Sequence, residues 1–208
     1  MTYHCPQPAD MADVSALNHA FLCDLRDRQH RALDDLAGDG HQALRQLADV
    51  PFLIYRLHAP DPGFWQRTFA GANDLVDAAE TSPARETGQV ASTLGFLWHL
   101  SRRDAHAARL FTGSSGEWCR QLAETPLVHL INRSLACGLR PALRLDADDP
   151  RWRAMVWSAS GGNKADRLVA VMRVFQALLI AGEQAARHSA AACRSRSPAR
   201  QFAVRERR

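Results

Sequence analysis

Phe21-Leu22-Cys23-Asp24-Leu25 recurs 75 residues later as Phe96-Leu97-Trp98-His99-Leu100, and the match continues without a gap. Arg28 falls on Arg103, Ala32 on Ala107 and Gly38 on Gly113. Arg45-Gln46-Leu47-Ala48-Asp49-Val50-Pro51 then falls on Arg120-Gln121-Leu122-Ala123-Glu124-Thr125-Pro126. Eleven of the 31 positions 21–51 are identical, where an Ala/Leu-rich composition gives roughly two or three by chance. Identical spacing of the glycine, the proline and the apolar positions predicts two segments that fold alike. After a 13-residue insertion the match resumes at an offset of 88, with Arg56-Leu57-His58-Ala59-Pro60-Asp61-Pro62 on Arg144-Leu145-Asp146-Ala147-Asp148-Asp149-Pro150. A tryptophan follows in each copy, Trp65 and Trp152.

Around the repeat, apolar residues recur at helical spacing, and alternation with a period of two is nearly absent. The predicted fold is all-α: two tandem repeats of about four helices each, a long C-terminal helix and a disordered basic tail. Residues 1–12 are expected to be a flexible N-terminus, 13–72 the first repeat, 73–91 a linker with a short helix near 74–80, and 92–158 the second repeat with its insertion near 130–143. A helix is predicted over 164–187 and disorder over 188–208. Leu17, Phe21, Leu22 and Leu25 mark a first helix over 14–36, and Ala43, Leu44 and Leu47 a short second one. Asp49 and Pro51 suit the start of a third helix, whose body Phe52-Leu53-Ile54-Tyr55 is apolar on every side and therefore buried. A fourth begins at Phe64.

The second copy has clearer punctuation. Asp104 restarts a helix that Gly113 ends, and Ser114 with Glu117 fits a capping box. Thr125-Pro126 opens the next helix and Gly138 closes it. Trp65, Trp98, Trp118, Trp152 and Trp157 read as core anchors. On the last helix, Leu168, Val171, Met172, Phe175, Leu178 and Leu179 form one face. Val169, Val174 and Ile180 widen that face beyond what a surface helix needs, so it should be clasped by both repeats or shared with a partner.

Charge is segregated. The net charge is +4, yet residues 187–208 alone hold seven arginines and one acid. Arg187, Arg194, Arg196, Arg200, Arg205, Arg207 and Arg208 suit salt-sensitive, sequence-blind contact with nucleic acid. The same composition also describes a plain solubilising terminus, because 25 arginines against one lysine is a bias of the whole chain. The opening Met1-Thr2-Tyr3-His4-Cys5-Pro6 has no leader pattern, no apolar run is long enough to span a bilayer, and five cysteines follow no paired spacing. These features predict a cytoplasmic protein with reduced thiols.

Chemistry-bearing motifs are sparse. The helices flanking Thr125-Pro126 have the outline of a helix-turn-helix, with His129, Asn132 and Arg133 on the second; Asn and Arg are the side chains that read base edges. His99, His106, Cys119, His129 and Cys137 gather in the second copy without a metal-ligand spacing, so no metal and no other cofactor is predicted. Ser160-Gly161-Gly162-Asn163-Lys164 suits either an anion at a helix N-terminus or a plain turn. No catalytic residue set is visible.

Asn18, Phe21-Leu22, Gln46-Leu47-Ala48-Asp49 and Tyr55-Arg56-Leu57 resemble the D-subunit family of the flagellar master transcription activator, and Gln121-Leu122-Ala123-Glu124-Thr125 echoes the same turn. The resemblance covers about 40 residues of each copy. It implies a small helical regulator working through a protein partner, with two copies in one chain imitating the family's dimer. The expected function is a non-enzymatic helical regulator or adaptor, in transcription regulation by that resemblance, with an unidentified protein partner, nucleic acid at the tail and homo-oligomers within scope. The alternatives are a small-molecule or metal-dependent enzyme with its site between the repeats, using His99, His106 or Cys119, and a structural interaction protein.

Overall fold

The structure is a computed structural model that describes residues 6–36, 40–61, 63–71 and 84–195, with backbone alone at 84–86, 183 and 185–195. Nine α-helices stand among the described residues with one short antiparallel strand pair. In order they are α1 (Pro8–Asp27), a 3-10 turn (Arg31–Leu33), α2 (Gly40–Ala48), β1 (Tyr55–His58) and α3 (Phe64–Phe69), then α4 (Ala84–Arg103), α5 (Ala105–Thr112), α6 (Gly116–Glu124), α7 (Leu127–Ala136), β2 (Arg140–Leu143), α8 (Pro150–Ser160) and α9 (Lys164–Ser195). The sequence helix, short helix, helix, strand, helix therefore occurs twice, with α7 added in the second half and α9 after it.

Local chemistry explains the boundaries. Pro8 opens α1, where its missing N–H is harmless, and the Gln7 N–H donates to Asp10 at 2.8 Å. The Asp104 carboxylate accepts from the His106 and Ala107 N–H groups to start α5, and Gly113 ends it with φ +60°. The Ser115 hydroxyl accepts from the Trp118 N–H to start α6. The cap is thus one residue later than the Ser114 of the sequence reading. Gly138, at φ +63°, closes the turn after α7.

Several expectations are corrected. The first helix is not 14–36 but Pro8–Asp27, so 8–12 are ordered into α1 rather than a flexible end. Phe52-Leu53-Ile54-Tyr55 is buried as expected, but it is a bent, non-helical run leading into β1, not a third helix. Residues 140–143, within the predicted insertion, form its partner strand. Pro51 withholds an N–H, and Asn18 of α1 supplies what a helix would have: its amide donates to the carbonyls of Ala48 (3.2 Å) and Phe52 (2.9 Å) and accepts from the Ile54 N–H (3.1 Å). Trp157 is no core anchor; it is 64% exposed. α9 continues through 188–195 instead of ending near 187. The short helix near 74–80, the N-terminal residues 1–5 and the tail beyond Ser195 lie outside the described residues.

The strand register ties the two halves together. Tyr55 stands opposite Leu143, and the 88-residue offset carries Tyr55 onto that same Leu143. Arg56 faces Ala142, while its match Arg144 continues the ladder by donating its N–H to the Ile54 carbonyl at 3.0 Å. The matched positions are therefore related by a local two-fold axis through the Tyr55–Leu143 pair. The closing helices are exchanged about it. α8 of the second half packs on α2 of the first, and the Trp152 indole N–H donates to the Ala32 carbonyl at 2.8 Å. Reciprocally, Trp65 on α3 meets Trp118 on α6 edge to face, with ring centroids 5.1 Å apart. α9 lies across the result through Ala170, Val171 and Val174, with Phe175 stacked on Phe52.

One ion pair joins the start of α1 to the end of α4: Asp10, nearly fully buried, accepts from the Arg103 guanidinium. Burial pushes the Asp10 carboxyl up, but the bonds from Arg103 and the Gln7 N–H outweigh it and hold it below its ordinary 3.8. A folded-state value below the unfolded one stabilises the fold above pH 3.8, and the contribution disappears as pH falls through the lowered value. Arg103→Ala is expected to cost about 1–2 kcal/mol at pH 7 and less at pH 3. Urea melts at the two pH values check this; an equal cost at both would remove the ion pair as the cause.

Candidate functional site

A cleft opens beside the strand pair, where the two halves meet. Its outer chamber holds about 460 Å³ and a deeper one about 200 Å³; Arg56, Thr112, Ser114, Trp118 and Arg144 line both. β1 presents Arg56, and the chain leaving β2 presents Arg144. α9 forms the outer wall with Leu178 and Gly182, and a Cβ at Gly182 would run into the Gly113 carbonyl. Only glycine lets the helix come this close.

The two arginines differ in setting. Arg56 is exposed at the mouth. Arg144 is partly buried: its guanidinium donates to the Thr112 carbonyl and, at 3.3 Å, to the Tyr55 carbonyl, while its Nε is enclosed and has no partner. Thr112 is the last residue of α5, so Arg144 meets the negative end of that helix. Burial pushes its pKa down to about 10, and the charge of Arg56 adds to the effect; Arg144 is still a cation at neutral pH. Among the described residues, no carboxylate pairs with either arginine. At the floor, the Tyr55 and Thr93 hydroxyls share a 2.6 Å hydrogen bond, and burial raises the pKa of Tyr55.

The residues singled out from sequence fall elsewhere. Asn132 is exposed on α7 and His129 half-buried, but Arg133 is 7% exposed and turned into the protein, so the three do not make one reading surface. The reason is the helical period: Arg133 and Ser134 follow Leu130 on the face of α7 that packs on α4. Arg187 and Arg194 lie on α9 with backbone alone described; Arg196, Arg200, Arg205, Arg207 and Arg208 lie outside the described residues. In the Gly161-Gly162-Asn163 turn, the Asn163 side-chain oxygen accepts from the Asp166 N–H at 2.9 Å, and the Asp166 carboxylate accepts from the Asn163 side-chain amide. An acidic side chain already occupies that helix start.

His99 and His106 are exposed, and among the described residues no three metal-ligating side chains come together. Cys119 is fully buried, and burial pushes its thiol up to about 11. Iodoacetamide at pH 8 should therefore spare Cys119 in the folded protein and label it in urea. Half-buried Cys23 and Cys137 should react before Cys119. Peptide mass mapping reads this, and fast native labelling of Cys119 would refute its enclosure.

Arg56 and Arg144 were visible in the sequence only as matched positions of the repeat. No protein-family model, curated protein or solved structure matches this chain.

Proposed function

We propose that this chain is a non-enzymatic helical regulator or adaptor that acts through protein–protein contacts. One observation carries the reading. Trp157 on α8 and Leu168, Val169, Met172 and Ile180 on α9 are large apolar side chains 42–64% exposed, and Val128 on α7 is 70% exposed. Five of these six sit on two helices that pack on each other. Scattered single apolar residues on a surface are ordinary, whereas a grouping on one helical hairpin marks a contact site. The resemblance of both copies to the flagellar activator subunit supports the same reading, and it extends the proposal to transcription regulation. The arginine-rich tail adds sequence-blind affinity for nucleic acid.

Leu168→Asp with Met172→Asp tests the contact. Both positions are exposed, so the double variant should keep its helicity and melting temperature. In a pull-down from the native cell it should lose a protein that the unaltered chain captures. An identical captured set would sink the adaptor reading. A mobility-shift titration with the chain ended at Ala186 tests the tail; unchanged affinity for DNA and RNA would remove it.

A further inference from the structure

We infer that the cleft between the two halves binds a small organic anion, a carboxylate or phosphate head on an apolar body, with the head between Arg56 and Arg144 and the body along Trp118 and Trp65. The inference is independent of the adaptor reading, because it uses none of the outward-facing residues of that surface.

Charge is the first argument. A guanidinium that has left water is costly unless an opposite charge or a full set of acceptors meets it. Arg144 meets two backbone carbonyls and keeps an enclosed Nε without a partner. Arg56, of the same sign, stands on the same cavity and helps to lower the pKa of Arg144. Two like charges facing one cavity repel each other, and an oxyanion placed between them relieves both. No described residue makes a hydrogen bond or ion pair with Arg56, which stands exposed at the cleft.

Local geometry adds a second argument. α6 begins at the cleft: Ser114 and Ser115 line the outer chamber, and Ser115 is the N-cap. The first N–H groups of a helix favour negative charge. At the other side, the negative end of α5 is already engaged by Arg144 through the Thr112 carbonyl. The cleft is therefore lined by two arginines and a helix start whose one acidic side chain, Glu117, is paired with Arg120 on its own helix.

The walls decide what the anion carries. Trp118 lines both chambers, Trp65 and Leu97 the inner one, and Leu178 the outer one. A bare ion would leave these surfaces wet. A hydrocarbon or aromatic body would cover them, and a space of about 460 Å³ is in the range of small-molecule sites.

Calorimetric titration of the full chain tests this with four probes: octanoate, octyl phosphate, neutral octanamide and acetate. At least one of the first two should bind once per chain, and the tighter one identifies the head. Octanamide and acetate should each bind at least about tenfold more weakly, the first for want of charge and the second for want of a body. Arg56→Ala should weaken the better anion by about tenfold with an unchanged melting temperature, since the side chain is exposed. Arg144 is not the variant of choice, because it also holds α5. Failure of both anions to bind at millimolar concentration would overturn the inference. So would octanamide or acetate matching octanoate, or an Arg56→Ala chain that binds as the unaltered one does.

Discussion

Asn18→Leu is expected to destabilise the fold by about 3–4 kcal/mol, a fall in melting temperature of about 10 °C for a chain of this size. Asn18 is fully buried, and its amide meets three backbone groups, the carbonyls of Ala48 and Phe52 and the N–H of Ile54. Leucine fills similar space and satisfies none of them, and each buried backbone group left unpaired costs about 1–3 kcal/mol. The segment that loses its partners is the bent run leading into β1, so the damage should reach the strand pair and the Tyr55 side chain. Asn18→Asp separates size from bonding: its carboxylate can still accept from Ile54 but faces the two carbonyls with no donor. Urea melts followed by circular dichroism give the values. A cost under about 1 kcal/mol for Asn18→Leu would mean that this segment is held by other means.

That same residue shows where sequence reading stops. Helical spacing, Gly113 and Asp104 identified α5, and Thr125-Pro126 marked the break between α6 and α7, because each signal acts within a turn of its own helix; the Thr125 hydroxyl, though, donates back to the Gln121 carbonyl instead of capping α7. Phe52-Leu53-Ile54-Tyr55 carries no such signal. Four apolar residues without a polar face suit a buried helix or a buried strand equally. What decides between them is the side chain of Asn18, 34 and 36 residues away from two of its partners. Trp157 misled for a related reason: its apolar character predicts burial, but the face of α8 that it occupies has no element over it among the described residues. The cleft was legible only as an unexplained coincidence, an arginine at the same place in each copy. Its chemistry came from the antiparallel register, which brings Arg56 and Arg144 to one cavity.

Trp152→Ala is expected to cost about 3–5 kcal/mol, whereas Trp65→Ala, at the tryptophan that follows the match in the first copy, should cost about half as much. Trp152 is 2% exposed and bonds to the Ala32 carbonyl, so truncation opens a cavity and orphans a buried acceptor together. Trp65 is only partly buried, and its neighbours Phe69 and Trp118 also touch each other, with ring centroids 6.3 Å apart, so the cluster can close in. The asymmetry follows from the exchange of closing helices. α8, with eleven residues, clasps the first half along α2, while α3, with six, reaches the second half through a few aromatic rings. Trp152→Phe isolates the indole bond: it keeps most of the volume and should lose about 1 kcal/mol. Equal losses from Trp65→Ala and Trp152→Ala would mean that the two closing helices hold the molecule equally, and that α8 is not the clasp.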